Sequence, residues 1–273
     1  MRQSQGSIVC AECNNLVGIS EERCPFCGAW RPGLFGWAPA LRSVVGSRLD
    51  LITLILGACV TLYAFALLLQ PDAILDGRGF LSFLAPGFRA LYQLGMTSGD
   101  VWRLGWWWTL LTAIYLHGGL LHIFFNMMWV RQLGPVVEEL FGPFRLFVIF
   151  TVAGVAGFIA SATMGSAYTL GASGSIFGLL AAAIVYGRRV GSGMFTRQFL
   201  QWAVIMFVFG FIMDGIDNWA HGGGFVGGYA TAWLFAREGE SREGIGTYTI
   251  AGACILLTLF AFIRQALVTI LGV

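Results

Sequence analysis

From residue 49 onward the chain is built of long apolar runs separated by short polar turns. The runs cover 49–70, 119–140, 144–165, 171–187, 198–213, 217–236 and 247–271. Each approaches or exceeds the roughly twenty residues that carry a helix across a hydrocarbon core of about 30 Å. The pattern predicts seven transmembrane helices in an all-α, polytopic bundle. Between the first two runs it breaks. Over 71–118, Pro71, Gly77, Gly79, Pro86, Gly87, Gly95, Gly99 and Gly105 cut the apolar pieces too short to span. Trp102, Trp106, Trp107 and Trp108 are of the residue type that settles at headgroup level. This stretch therefore predicts a large external loop lying on or dipping into the outer leaflet, with the second spanning helix beginning at Gly118-Gly119.

Composition agrees with a chain dissolved in lipid: 57% of its 273 residues are hydrophobic, 11% are charged and the mean hydropathy is +0.76. A net charge of +2, with arginines scattered between the apolar runs, excludes a nucleic-acid-binding surface. Those arginines instead predict orientation. Arg31, Arg42 and Arg48 precede the first run, and alternation then assigns Arg131, Arg145, Arg188, Arg189, Arg197, Arg237 and Arg242 to inner turns. The turns at 165–170 and 214–217 carry no Lys or Arg and fall outside. The amino terminus is thus expected in the cytoplasm, with the chain integral to a plasma or inner membrane. Because cysteines, Glu21, Glu22 and Arg23 come before any apolar stretch, no cleavable leader is expected and the first span serves as the insertion signal.

Residues 1–30 carry Cys10-x2-Cys13 and Cys24-x2-Cys27, two thiolate pairs that together suit a tetrahedral structural Zn²⁺. A disulfide pairing is open only if this end is extracytoplasmic, and a redox CxxC lacks the surrounding βαβ pattern. So small a segment needs a staple to fold at all. Cys59 and Cys254 fall inside apolar runs and read as small buried hydrophobes. The expected division is a four-cysteine zinc-binding module at 1–30, a linker at 31–48, a six-span core at 49–236, and an inner-side linker with a seventh span at 237–273.

With this topology, spans two, four and six enter the membrane from the outer face. Their early residues include His122 and Asn126 on span two, Ser173 on span four and His221 on span six. His117 lies just ahead of span two, five residues from His122, a spacing that diverges on a helix and makes a poor metal pair. Polar groups in lipid need a partner or a watery cavity, so this gathering is a candidate site. Gly174 and Gly178 on span four, and Gly224 and Gly228 on span six, are small-x3-small faces that bring helices close. Contact between them sets Ser173 beside His221, a nucleophile and its general base. In that arrangement Phe177, one turn below Ser173, lies against the imidazole ring. His122 and Asn126 then serve as hydrogen-bond donors to an oxyanion, together with the Ser173 N–H. Alone, Ser173 reads as part of a packing face and His221 as a histidine satisfied by a carbonyl. Asp217, four residues before His221, stands where an N-cap belongs, with the role of a triad acid as the alternative.

Four motifs in combination carry a resemblance: His117-x4-His122-x3-Asn126, Gly134-x3-Glu138-x3-Gly142, Gly171-x-Ser173-Gly174 with Phe177, and Ala220-His221-x2-Gly224-x3-Gly228. Over about 49–236 the chain resembles the rhomboid intramembrane serine proteases. The resemblance implies a Ser173–His221 dyad without a required acid, oxyanion donors at His122 and Asn126, a buried structural His117, and Glu138 as an anchor of the first external loop. For Glu138 the plainer alternative is a carboxylate snorkelling at the inner surface. One departure concerns the loop arginine: the family often has Trp-Arg eight to nine residues before the first histidine, where this chain has Trp108-Thr109, and Trp102-Arg103 lies further upstream. The expected activity is hydrolysis of a peptide bond in or beside a transmembrane segment, with no cofactor for catalysis. Membrane proteins are the expected substrates, and the zinc module has an unassigned partner. The alternatives are a rhomboid-like scaffold that binds membrane clients without cutting them, and a transporter, which would show two related halves that this sequence lacks.

Overall fold

The structure is a computed structural model that describes residues 6–10, 13, 15–28, 50–72, 84–164, 168–213, 215–237 and 243–272. The linker expected at 31–48, with Arg31, Arg42 and Arg48, lies outside the described residues, as do Gly77, Gly79 and Arg242. The chain divides into two compact units, Met1–Asp50 and Leu51–Val273.

In the first unit, β1 (Ser7–Val9) pairs antiparallel with β2 (Leu16–Gly18), and Ile8 faces Val17 across the ladder. Ile8 and Val17 are buried with Cys10 and Cys24 in a very small core.

The second unit is helical. Its elements are α1 (Leu51–Leu69), α2 (Phe88–Gln93), α3 (Gly99–Arg103), α4 (Thr109–Thr112) running into a 3₁₀ turn (Ala113–Tyr115), α5 (Leu120–Phe141), α6 (Pro143–Thr163), α7 (Ser173–Arg189), α8 (Gly193–Ile212), α9 (Asn218–Arg237) and α10 (Ile245–Leu271). Among the described residues, α1, α6, α8 and α10 are long and apolar enough to cross a membrane, and α4 to α5, bent by 91°, passes as a fifth such unit. That bend falls at Gly118-Gly119. α8 begins five residues ahead of the apolar run that predicts it, because Gly191 at φ +72 turns the chain directly out of α7. α7 is short for a span, and thirteen of its seventeen residues are buried. A helix enclosed by others need not be apolar toward lipid, so its composition is set by packing. Exposed Leu, Ile, Val and Phe side chains on α1, α8 and α10 give the bundle the apolar outer surface that lipid requires.

α9 packs between α6 and α7, and small residues on both of its faces explain why it can. A Cβ on Gly224 would lie 2.2 Å from the Gly174 carbonyl oxygen of α7, and one on Gly228 would lie 2.2 Å from Gly178 Cα. On the adjacent face, a Cβ on Gly223 or Gly227 would meet Ala160 or Ala156 of α6 at 2.6 and 2.5 Å. Backbone against backbone at these distances tolerates no side chain. The α6 face, with Ala153, Gly157 and Ala160 at spacings of four and three, carries the same signal and is not among the faces singled out from sequence. At the far end of α6, Glu243 accepts from the Arg145 N–H at 2.7 Å and so satisfies a free donor of the helix start.

Residues 84–119, between α1 and α5, are folded, with four hydroxyl side chains turned inward. Thr97, Ser98, Thr109 and Thr112 are all buried. Thr109 Oγ1 lies 3.0 Å from Thr97 Oγ1, Thr112 Oγ1 donates to the Gly95 carbonyl at 2.7 Å, and Ser98 caps α3 by accepting from the Val101 N–H. Irregular backbone at membrane depth survives only when its polar groups are satisfied in this way.

Candidate active site

Three helix starts meet at one end of the bundle. The chain enters α7 through Gly171, at φ +124, so that Ser173 becomes the first helical residue, and the N–H of such a residue has no partner within its own helix. α9 begins behind Asp217, whose Oδ1 accepts from the N–H groups of Trp219 and Ala220 at 3.1 Å each. One turn further, His221 donates its N–H to the Asp217 carbonyl at 3.2 Å. α5 starts at Leu120 behind two glycines, placing His122 and Asn126 in its first two turns.

His221 Nε2 lies 2.9 Å from Ser173 Oγ. The glycine contact between α7 and α9 produces this, since only backbones without side chains let the two helix starts approach so closely. Phe177 stacks on the imidazole with ring centroids 4.4 Å apart and planes 21° off parallel, which fixes the ring's orientation. Among the described residues, His221 Nδ1 has no hydrogen-bond partner. Asp217 is fully engaged elsewhere: Oδ1 caps α9 and Oδ2 accepts from the Ser161 hydroxyl of α6. The cap alternative for Asp217 is therefore the one its contacts support. Ser161 has no signal in the sequence, because a serine inside an apolar run looks like packing.

His122 Nδ1 accepts from the Gly118 N–H at 3.3 Å, which leaves its proton on Nε2. That Nε2 is directed at Gly171, where a Cβ would sit 2.6 Å away, so the imidazole occupies space that only a glycine leaves. Asn126 Nδ2 donates one proton to the His122 carbonyl at 2.8 Å and retains a second. Ser173 and His122 stay partly exposed, while His221 and Asn126 are buried. His117 is fully buried and meets His122 edge to face, centroids 5.1 Å apart. The two rings do not diverge, because His117 precedes the helix and the helical spacing does not apply to it. Glu138 lies half-buried in the last turn of α5, at the end away from Ser173, and Gly134 on the same helix takes Ile52 of α1 against its backbone. Arg103 pairs with Asp100 at 2.6 Å, and both are largely exposed.

In the first unit, Cys10, Cys13, Cys24 and Cys27 bring their sulfurs within 4.8 Å of one another. The contacts from Cys10 to Cys27 and from Cys13 to Cys24 measure 3.8 and 3.6 Å. Four thiolates at about 2.3 Å from a tetrahedral zinc stand about 3.8 Å apart, so these residues fit the ion. The Asn15 N–H and the neighbouring sulfurs, partly offset by desolvation, lower the Cys13 thiol to about 6, favouring the thiolate a metal needs.

Residues 104–238 match the rhomboid domain. The chain is 34% identical to rhomboid protease GluP of Bacillus subtilis over 173 residues, which is 62% of this chain and 33% of that protein. It is 30% identical to RHOMBOID-like protein 5 of Arabidopsis thaliana, over 57% of this chain and 55% of the relative. The putative rhomboid protease YdcA of Bacillus subtilis is 28% identical over 55% of this chain and 75% of its own length. The chain thus spans between a third and about half of the length of the first two of these relatives. Its helical bundle and its matched domain agree: over residues 104–238 the chain carries a rhomboid domain.

Proposed function

We propose that this protein is an intramembrane serine endopeptidase that hydrolyses peptide bonds in or next to transmembrane segments of other membrane proteins. The observation that carries the reading is the 2.9 Å contact between Ser173 Oγ and His221 Nε2 at helix ends that only glycines allow to meet. Support also comes from relatives named as rhomboid proteases.

In this mechanism His221 is neutral, with its proton on Nδ1, and Nε2 removes the hydroxyl proton as Ser173 Oγ attacks the scissile carbonyl. The tetrahedral intermediate places its oxyanion among the Ser173 N–H, the Nε2–H of His122 and the second Nδ2 proton of Asn126. The imidazolium then protonates the leaving amine, and the acyl-enzyme on Ser173 is hydrolysed by water activated at the same Nε2. Phe177 keeps the imidazole in plane for both transfers. A substrate helix hides its carbonyls in its own hydrogen bonds, so it must unwind locally, and small or helix-breaking residues near the membrane boundary favour cutting.

Seven crossings, with the amino terminus in the cytoplasm, put Ser173 near the outer face. Arg145, Arg188, Arg189 and Arg237 gather at the end of the bundle away from Ser173, as the positive-inside rule requires. The cysteine unit holds one structural zinc and recruits a partner; it takes no step in the chemistry.

The test is cleavage of a single-span substrate by the purified protein in detergent. Ser173→Ala and His221→Ala each lower the rate by roughly 10⁴- to 10⁶-fold, and a fluorophosphonate labels wild type but not the serine variant. Full activity in either variant overturns the mechanism, and a scaffold that only binds clients shows no cleavage even in wild type.

A further inference from the structure

α10 lies outside the catalytic arrangement proposed above, yet it carries a fully engaged buried amide near its carboxyl-terminal end. Gln265 is 2% exposed. Its Oε1 accepts from Trp108 Nε1 at 2.9 Å, and its Nε2 donates to the Tyr92 and Gln93 carbonyls at 3.3 and 3.1 Å. One turn later, Thr269 Oγ1 donates to the Gln93 carbonyl at 2.8 Å. A glutamine inside an apolar helix is costly unless its partners are fixed, and here every partner belongs to the segment between α1 and α5.

From that segment the bonding continues to the nucleophile. Thr109, next in the chain after Trp108, meets Thr97 hydroxyl to hydroxyl at 3.0 Å. Thr97 and Thr169 exchange both backbone hydrogen bonds, at 3.1 and 2.8 Å. Gly171 donates its N–H to the Ala113 carbonyl at 2.9 Å, and Ser173 follows two residues on. A short bridge of main chain thus ties the folded loop to the turn that presents the serine.

We infer that Gln265 is a positioning residue: through the loop it holds the Thr169–Gly171 turn, and with it Ser173, in the reactive geometry. The inference rests on the protease reading for its catalytic consequence, but the mechanical coupling does not. Two arms separate these. In full-length Gln265→Leu, amide hydrogen exchange at Thr169 and Gly171 rises about tenfold, whatever the protein's activity. In the cleavage assay the same variant loses about tenfold in kcat with KM held, as a displaced nucleophile requires. Adding Trp108→Phe costs nothing further in kcat, because the bond from Trp108 is already lost with Gln265.

Gln265→Glu supplies a variant that keeps shape and the Trp108 bond. Its carboxylate cannot donate to the Tyr92 and Gln93 carbonyls, and its protonated form can donate one bond. Relative to wild type at each pH, its kcat recovers as pH falls. Unchanged exchange at Thr169 and Gly171 in the leucine variant, or a pH-independent ratio for the glutamate variant, overturns the inference. A leucine variant that exchanges as described, beside a wild type that never cuts substrate, overturns the protease reading and leaves the coupling standing.

Discussion

Two seams hold the helical unit together, and they do so by opposite means. Where α7 and α9 approach most closely, no side chain intervenes: Gly174 and Gly178 face Gly224 and Gly228, backbone on backbone. Between α10 and the loop, contact is made by side chains, a glutamine, a threonine and an indole, through directed hydrogen bonds. Lipid offers no hydrophobic drive for helices to associate, so close van der Waals packing and satisfied polarity are the two means left. The first sets a distance that cannot relax, because a glycine contact has no rotamers. The second sets a register that can loosen by degrees. The seam nearest Ser173 and His221 should therefore be brittle toward added volume, and the α10 seam sensitive to lost polarity.

The largest expected effect breaks the glycine seam. Gly228→Leu puts a Cβ within 2.2 Å of the Gly178 Cα, which is backbone and cannot step aside. α9 must then move off α7, separating His221 from Ser173. Cleavage falls to background, and thermal unfolding in detergent shows a loss of about 1–3 kcal/mol. Gln265→Leu, by contrast, lowers the rate without abolishing it. A leucine at 228 that cuts like wild type removes the distinction between the seams.

Next in size is His122→Ala. The substitution deletes a proposed oxyanion donor and leaves both seams intact, so kcat drops by about 10²- to 10³-fold while the melting transition barely shifts. An equal loss of stability would mean that His122 belongs to the packing instead, through its edge contact with His117.

How much of this was legible in the sequence depends on whether a feature has a local signature. The positions of α1, α6, α8 and α10 follow from hydropathy, since lipid constrains the outward residues of a span. The Gly174–Gly178 and Gly224–Gly228 faces are visible at spacing four, and from them the approach of α7 to α9. The start of α5 behind Gly118-Gly119 is visible because the apolar run from Trp106 to Val130 is too long for one vertical helix, and the structure adds the 91° bend there. What stays hidden are contacts between residues far apart in sequence whose types are unremarkable alone. Gln265 is one glutamine in a long apolar run, 157 residues from Trp108, and nothing local announces its partner. Ser161 is likewise invisible until α6 is seen to carry it to Asp217. The His117–His122 contact is hidden by a different route: helical spacing does not govern a pair of which His117 lies ahead of the helix.

Asp217→Ala comes third. Its carboxylate caps α9 and takes the Ser161 hydroxyl, so its loss costs about 1 kcal/mol of stability by cap removal. Because α9 is also clamped by glycines on two faces, the helix start shifts little and the rate falls by less than tenfold. A triad acid behaves otherwise: losing one drops kcat by about 10⁴. Measuring kcat for the alanine variant therefore separates a cap from an acid, and a four-decade fall would mean that His221 Nδ1 acquires Asp217 as a partner during turnover.

The smallest effect on cleavage is expected from the unit that uses neither seam. Among the described residues of Met1–Asp50, the buried core is Ile8 and Val17 with two cysteines, too little apolar surface to fold without a cross-link. Four sulfurs at metal spacing would, with one ion bound, take the place of both glycine contact and directed hydrogen bonds. Metal analysis of the purified protein should find one zinc per chain. Cys13→Ser removes a thiolate and abolishes that zinc, and without the ion the β1–β2 hairpin loses its backbone protection. Rates on a short substrate in detergent, and the melting of the helical unit, should stay at wild-type values, because no residue of the proposed site belongs to this unit. A fall in kcat on zinc removal would mean instead that the cysteine unit acts on the helices, and the independence of the two units would have to be given up.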